Sequence, residues 1–209
     1  MAGLAASLCP AFADTVLFSG NFTTDDNLEG FAFTLTGAST VTIRTLSFAN
    51  GGFEPILTLF DAAGGLLTQD TTGGTAPGAC GPRAIDPVSN FCLDAYIQTP
   101  LSAGNYLAFL TEADNVANGP TLADGFLHQG EGNFTGPEFT GNPGSFVLFD
   151  TSQRASDWSV EISGLETTSI SAIPEPGGLP FLLCACAILA FFVKLRIHRN
   201  KPTPSKESL

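Results

Sequence analysis

Apolar and polar positions alternate with period two along much of the chain. In 15–22 the pattern sets Val16, Phe18, Gly20 and Phe22 on one face. In 28–35 it groups Glu29 with Phe31, Phe33 and Leu35, so that the start of that face is exposed. In 40–48 it separates Val41, Ile43 and Thr45 from Arg44, Leu46 and Phe48. The run 55–61 is continuously apolar, as in a strand covered on both sides. Further strands are predicted at 66–69, 93–99, 105–111, 125–128, 146–149 and 158–163, with Gly, Asn and Asp between them. No stretch of this body sustains a helical period over about 11 residues.

The pattern predicts an all-β fold, a jelly-roll-like β-sandwich over 14–168 with a single C-terminal transmembrane helix after it. Eighteen Phe supply the packing between the sheets. Two longer segments, 71–90 and 113–144, interrupt the rhythm, and loops of that length are usually functional or mobile.

Charge changes the picture at the ends. The formal net charge is −12 and charged residues are 13% of the chain, about half the usual share. Such an acidic chain is a poor nucleic-acid ligand. The body holds Arg44, Arg83 and Arg154 against 18 acids and has no lysine. Past it come 17 uncharged residues, 177–193, then Lys194, Arg196 and Arg199. As a helix those 17 residues measure about 26 Å, the short end of spanning length. Snorkelling cations extend the reach, and their position predicts a cytoplasmic C-terminus. The expected organisation is a span at 177–195, a basic tail at 196–209 and a linker at 169–176. At the other end, 1–13 reads as a short signal peptide. An apolar run broken by Pro10 leads to Ala11, Phe12 and Ala13 before Asp14, with no basic start.

Cysteine usage agrees with export. Cys9 falls in the leader, and Cys184 and Cys186 fall in the apolar span. Cys80 and Cys92 remain as a pair bracketing a Gly/Pro-rich loop, and a disulfide between them is expected.

Catalysis finds little support. The body has one histidine, His128, and no G-x-S-x-G elbow. Its carboxylates are too many for any one pair to be singled out as a glycosidase site. No enzyme activity and no cofactor are expected, with calcium the single candidate ion. Its oxygen ligands would come from Asp25, Asp26 and Asn27, and from Asp114 and Asn115 with Asn118 and Asp124.

Pro174, Glu175 and Pro176, then one apolar helix, then a basic cluster resemble the PEP-CTERM sorting signal of Gram-negative bacteria. This tail differs in continuing ten residues beyond Arg199. The resemblance implies an exosortase-type membrane enzyme as partner. It also implies an inner-membrane precursor that ends at the cell surface or in the extracellular matrix, with exopolysaccharide or a biofilm. The residues agree with that role. Both prolines hold the backbone extended, as a protease-like site accepts it, and Glu175 adds a fixed charge. The alternative reading is a permanently membrane-anchored binding module for carbohydrate or calcium.

The body is similar to the bacterial pre-peptidase C-terminal domain, a jelly-roll accessory module. The similarity rests on FSGNF at 18–22 with Asp25 and Asp26, FAFTL at 31–35, VTIRTLS at 41–47, ILTLFD at 56–61, LSAGNYL at 101–107 and LADGF at 122–126.

Overall fold

A computed structural model describes residues 14–71, 80–165 and 170–173. The leader at 1–13, the Pro-Glu-Pro motif, the apolar span and the basic tail with Lys194, Arg196 and Arg199 lie outside the described residues. The described part carries nine strands: β1 (Asp14–Asn21), β2 (Glu29–Leu35), β3 (Ser39–Thr45), β4 (Pro55–Asp61), β5 (Leu66–Asp70), β6 (Tyr96–Leu101), β7 (Gly104–Glu112), β8 (Asp157–Leu165) and β9 (Ile170–Ile173). A six-residue helix, α1 (Thr135–Thr140), and a 3-10 turn at Leu122–Asp124 sit in the long connection between β7 and β8.

The strands form two sheets, ordered β1-β8-β3-β6 and β5-β4-β7-β2-β9, and every strand pair is antiparallel. Their facing sides share one core. Val41 and Ile43 of β3 and Val160 and Ile162 of β8 meet Phe31 and Phe33 of β2, Leu57 and Leu59 of β4 and Leu110 of β7. Burying each such side chain contributes roughly 1.5–3 kcal/mol before chain entropy is counted. The described part is therefore an all-β sandwich, and the alternating positions of β1, β2 and β3 face inward as their pattern predicts.

The continuous run of β4 is buried almost throughout, and the structure shows what covers its second face. Phe126, from the long β7–β8 connection, packs edge-on against Phe60 and beside Phe109 on the side away from the other sheet. That explains why 125–128 is not a strand. Gly125 has φ of 71°, and Phe126 makes one isolated bridge to Ala117. The apolar side chain there plugs the sheet surface without extending a sheet. The run at 146–149 behaves likewise. Phe146 takes φ of 52° and stacks on Phe53, and only Val147 bridges, to Gln153.

Two boundaries also differ. The strand expected from residue 93 begins at Tyr96, because Asp94 is buried and engaged elsewhere: its carboxylate accepts from Thr45 Oγ1 and from the amides of Phe48 and Ala49. Residues 170–173, expected as linker, pair with β2 from Gly30 to Phe33 and form the sheet edge. Ile170 packs on the core, which a polar spacer would not do.

The expected disulfide is present, with Cys80 and Cys92 joined and their Cα atoms 5.4 Å apart. The three arginines of the body are all paired: Arg44 with Glu161, Arg83 with Asp70, and Arg154 with Asp86. Arg154 also lies 4.1 Å over the ring of Phe48.

Candidate functional site

The end of the sandwich where β4 begins and β7 ends holds the most unusual chemistry. Antiparallel pairing sets Pro55 opposite Glu112, and one step further the Ala113 amide donates to the Glu54 carbonyl at 2.8 Å. Period two puts Glu112 on the same inward face of β7 as Ala108 and Leu110. The apolar row thus ends in a carboxylate, 2% exposed, whose Oε2 has no hydrogen-bond partner among the described residues.

Its neighbours carry the same charge. Burial pushes the Glu112 carboxyl well above the usual range, and the charges of Asp25, Glu54 and Asp114 push it further. Glu54 is raised to about 7, chiefly by burial and then by Asp114. Asp114 adopts the left-handed φ of 65° in a tight turn. The turn is fixed by Asn115 N donating to the Glu112 carbonyl, Val116 N to the Asp114 carbonyl, and Thr111 Oγ1 to the Asn115 carbonyl. The charges that act on Glu112, at the end of β7, thus come from the β1–β2, β3–β4 and β7–β8 connections, while the arginines are engaged elsewhere.

The oxygen donors singled out in the sequence are built into loops. Asp25 accepts from Thr135 N and Oγ1 and from Phe146 N. Asn27 Oδ1 accepts from Thr23 N and Oγ1 and from Thr24 N. Asp26 accepts from Thr24 Oγ1 and Gly130 N, and Asp124 accepts from Thr121 N and Oγ1. Asn115 accepts from His128 N and donates to the Asp26 carbonyl. The Asn118 amide donates to the Gly125 carbonyl. Among these residues, Asp25 and Asp114 add their charge to the Glu112 corner. Sequence reasoning missed Glu54 and Glu112. The available signal was Glu112 falling in phase with Ala108 and Leu110, a carboxylate where the pattern calls for an apolar side chain.

Among the described residues, no three Asp, Glu, His or Cys side chains form a ready metal-binding group. His128 stacks on Phe134 at 4.0 Å and meets Glu131 through Nδ1 at 2.9 Å. A groove of about 400 Å³ lies over β1 and β8, lined by Ser19, Asn21, Leu46, Ser47, Asp157 and Trp158 among others. Trp158 is buried under it and offers no open ring face for a sugar to stack on. Among the described residues no helix is long and apolar enough to cross a membrane.

No protein-family model matches the chain, and no curated protein matches it as a relative.

Proposed function

We propose that this is an exported, non-enzymatic envelope or matrix protein whose jelly-roll-like sandwich is cargo for a C-terminal sorting signal. The observation that carries the reading is the order Pro174-Glu175-Pro176, 17 uncharged residues, then Lys194, Arg196 and Arg199. The partner is an exosortase-type membrane enzyme. The precursor is held by a transmembrane helix in the inner membrane of a Gram-negative cell. The product resides at the surface or in the matrix with exopolysaccharide or a biofilm.

The described part supports this reading in two ways. A disulfide suits an oxidising compartment outside the cytoplasm. The edge strand β9 ends at Ile173, so Pro174 follows directly and cannot donate to a continued ladder. The recognition peptide therefore starts one residue after the last strand.

Intact-mass analysis and fractionation of the native protein test it. The expected product lacks the apolar span and basic tail and is found outside the inner membrane. An intact C-terminus with permanent membrane residence would replace sorting with plain anchoring of a binding module.

A further inference from the structure

We propose that β1 is an interface strand through which two copies of this chain pair, antiparallel and edge to edge, into one continuous sheet.

A sheet edge shows a row of unpaired N–H and C=O groups, a template for another strand, and folded proteins block such rows. Three of the four edges here are blocked. In β6 the phase is set by the Thr45 amide, which donates to the Ala95 carbonyl. Tyr96, Gln98 and Pro100 therefore turn their backbone groups away from β3. Pro100 has no N–H to offer, and the Tyr96 amide is taken by the Asp70 carboxylate at 2.6 Å. In β5 the Leu66 amide donates to the Pro120 carbonyl, and Gly65 bridges Thr121. β9 is four residues long and is followed by Pro174.

β1 has none of these devices. Among the described residues only β8 pairs with it, and its eight residues include neither Pro nor Lys. A register irregularity between Asp14 and Val16 is confined to its start. Phe22 N donates to the Ser156 carbonyl, continuing the register of Gly20 with Trp158 and Phe18 with Val160. The even-numbered residues thus bond to β8, and Leu17 and Ser19 direct their N–H and C=O groups outward.

The side chains of the strand select the occupant. Leu17 is 61% exposed on the outer face, while Val16 and Phe18 pack on the core and are only partly covered. The edge is apolar on both faces at its centre and polar at Thr15, Ser19 and Asn21. A two-fold axis near Leu17 lays that centre against itself. Val16 and Phe18 of each copy then extend the core of the other, and the two Leu17 side chains meet outside. Such an interface is isologous and closes at two copies. Charge agrees with it. A strongly acidic chain repels its own copies, but 15–24 contains no charged residue. The acids of β8 beside it are engaged, Glu161 by Arg44 and Asp157 by Asn21.

The inference does not depend on the sorting reading. The test is sedimentation equilibrium of the full chain in density-matched mild detergent between about 1 and 100 μM, with amide exchange followed by NMR. The wild type is expected to dimerise, and the Leu17 and Ser19 amides to exchange more slowly as concentration rises. Leu17→Pro removes only an outward donor, so the ladder to β8 should survive. Leu17→Lys places its cation opposite Glu161 in the β1–β8 register, and two such cations would meet at the axis. Both copies carry the change, so either variant should weaken association about tenfold or more at unchanged strand content. Leu17→Lys decides the matter if Leu17→Pro does not fold. A wild type that stays monomeric across the range would overturn the proposal. If its Leu17 amide were nevertheless protected, the edge would belong to another segment of the chain. Folded Leu17 variants that associate as tightly as the wild type would also overturn it, as would growth beyond a dimer.

Discussion

Asp25, in the turn after β1, accepts both the amide and the hydroxyl of Thr135, 110 residues later, at 2.9 and 2.5 Å. Its other oxygen takes the Phe146 amide at 2.7 Å, and Thr135 Oγ1 in turn accepts from Val147 N. One buried carboxylate thus fastens the start of α1 and the segment at Phe146 to the β1–β2 turn. Asp25→Ala should cost about 3 kcal/mol or more, because it leaves buried donors unpaired. Chemical denaturation at neutral pH measures it, and a loss within the range of surface substitutions would show that the connection is not fastened there.

Gly20 and Trp158 are paired across β1 and β8, and a Cβ at residue 20 would come within 2.6 Å of the indole ring. Trp158 cannot retreat easily, since it packs against Phe22 and Phe31. Gly20→Ala should therefore destabilise by about 1–3 kcal/mol, the usual cost of overpacking. Near-ultraviolet circular dichroism of the single tryptophan should change with it, whereas an unaltered signal and melting point would place the ring elsewhere.

These contacts mark how far the sequence is legible. Residues 55–61 could be read to the residue as β4, and β2 nearly so, because burial on sheet faces imposes a period that a single chain displays. Phe126 and Phe146 could not be distinguished from strand residues. Their neighbours are apolar too, and whether such a residue joins a sheet or plugs one depends on partners distant in sequence. β9 is four residues long, below the length at which alternation becomes informative. The acidic corner was half legible. Asp25, Asp26 and Asp114 stand out in polar turns, whereas Glu54 precedes β4 and Glu112 ends β7, and the sequence singled out neither. Glu112 carried one local signal, its phase with Ala108 and Leu110, whereas the burial of Glu54 follows from how the sheets close.

Cys80 and Cys92 close a loop containing Asp86, the ion-pair partner of Arg154. Arg154 also donates to the carbonyls of Gly52 and Phe48, so the loop is tied to the β3–β4 connection. Replacing both cysteines by serine should cost about 3 kcal/mol in the chain-entropy picture. The measurement is denaturation of the double variant beside the wild type with and without reductant. Reductant should lower the stability of the wild type alone, and equal sensitivity in both proteins would mean that this bond is not the one being broken.

Stability should fall as pH rises from about 4.5 towards neutrality. Burial first, and neighbouring acids second, raise Glu54 to about 7 and Glu112 well above its usual 4.5. The folded state therefore keeps protons that the unfolded chain releases near its ordinary value. Stability from these groups is fully present below about pH 4.5 and is lost as pH climbs through the folded values, with about 3 kcal/mol at stake for Glu54. Asp86 works in the opposite sense. Burial opposes its charge, but hydrogen bonds from Ser89 and Val88 and the Arg154 guanidinium outweigh it and hold the group below 3.8. Its contribution disappears only as the solution becomes strongly acidic, so it does not disturb the window from pH 5 to 8. Melting the full chain in chelator across that window should show Tm declining with pH. Glu54→Gln should flatten the slope. A Tm that is level across the window in chelator would mean that Glu54 and Glu112 ionise in the folded protein as freely as they do in water, and that this corner is open to solvent.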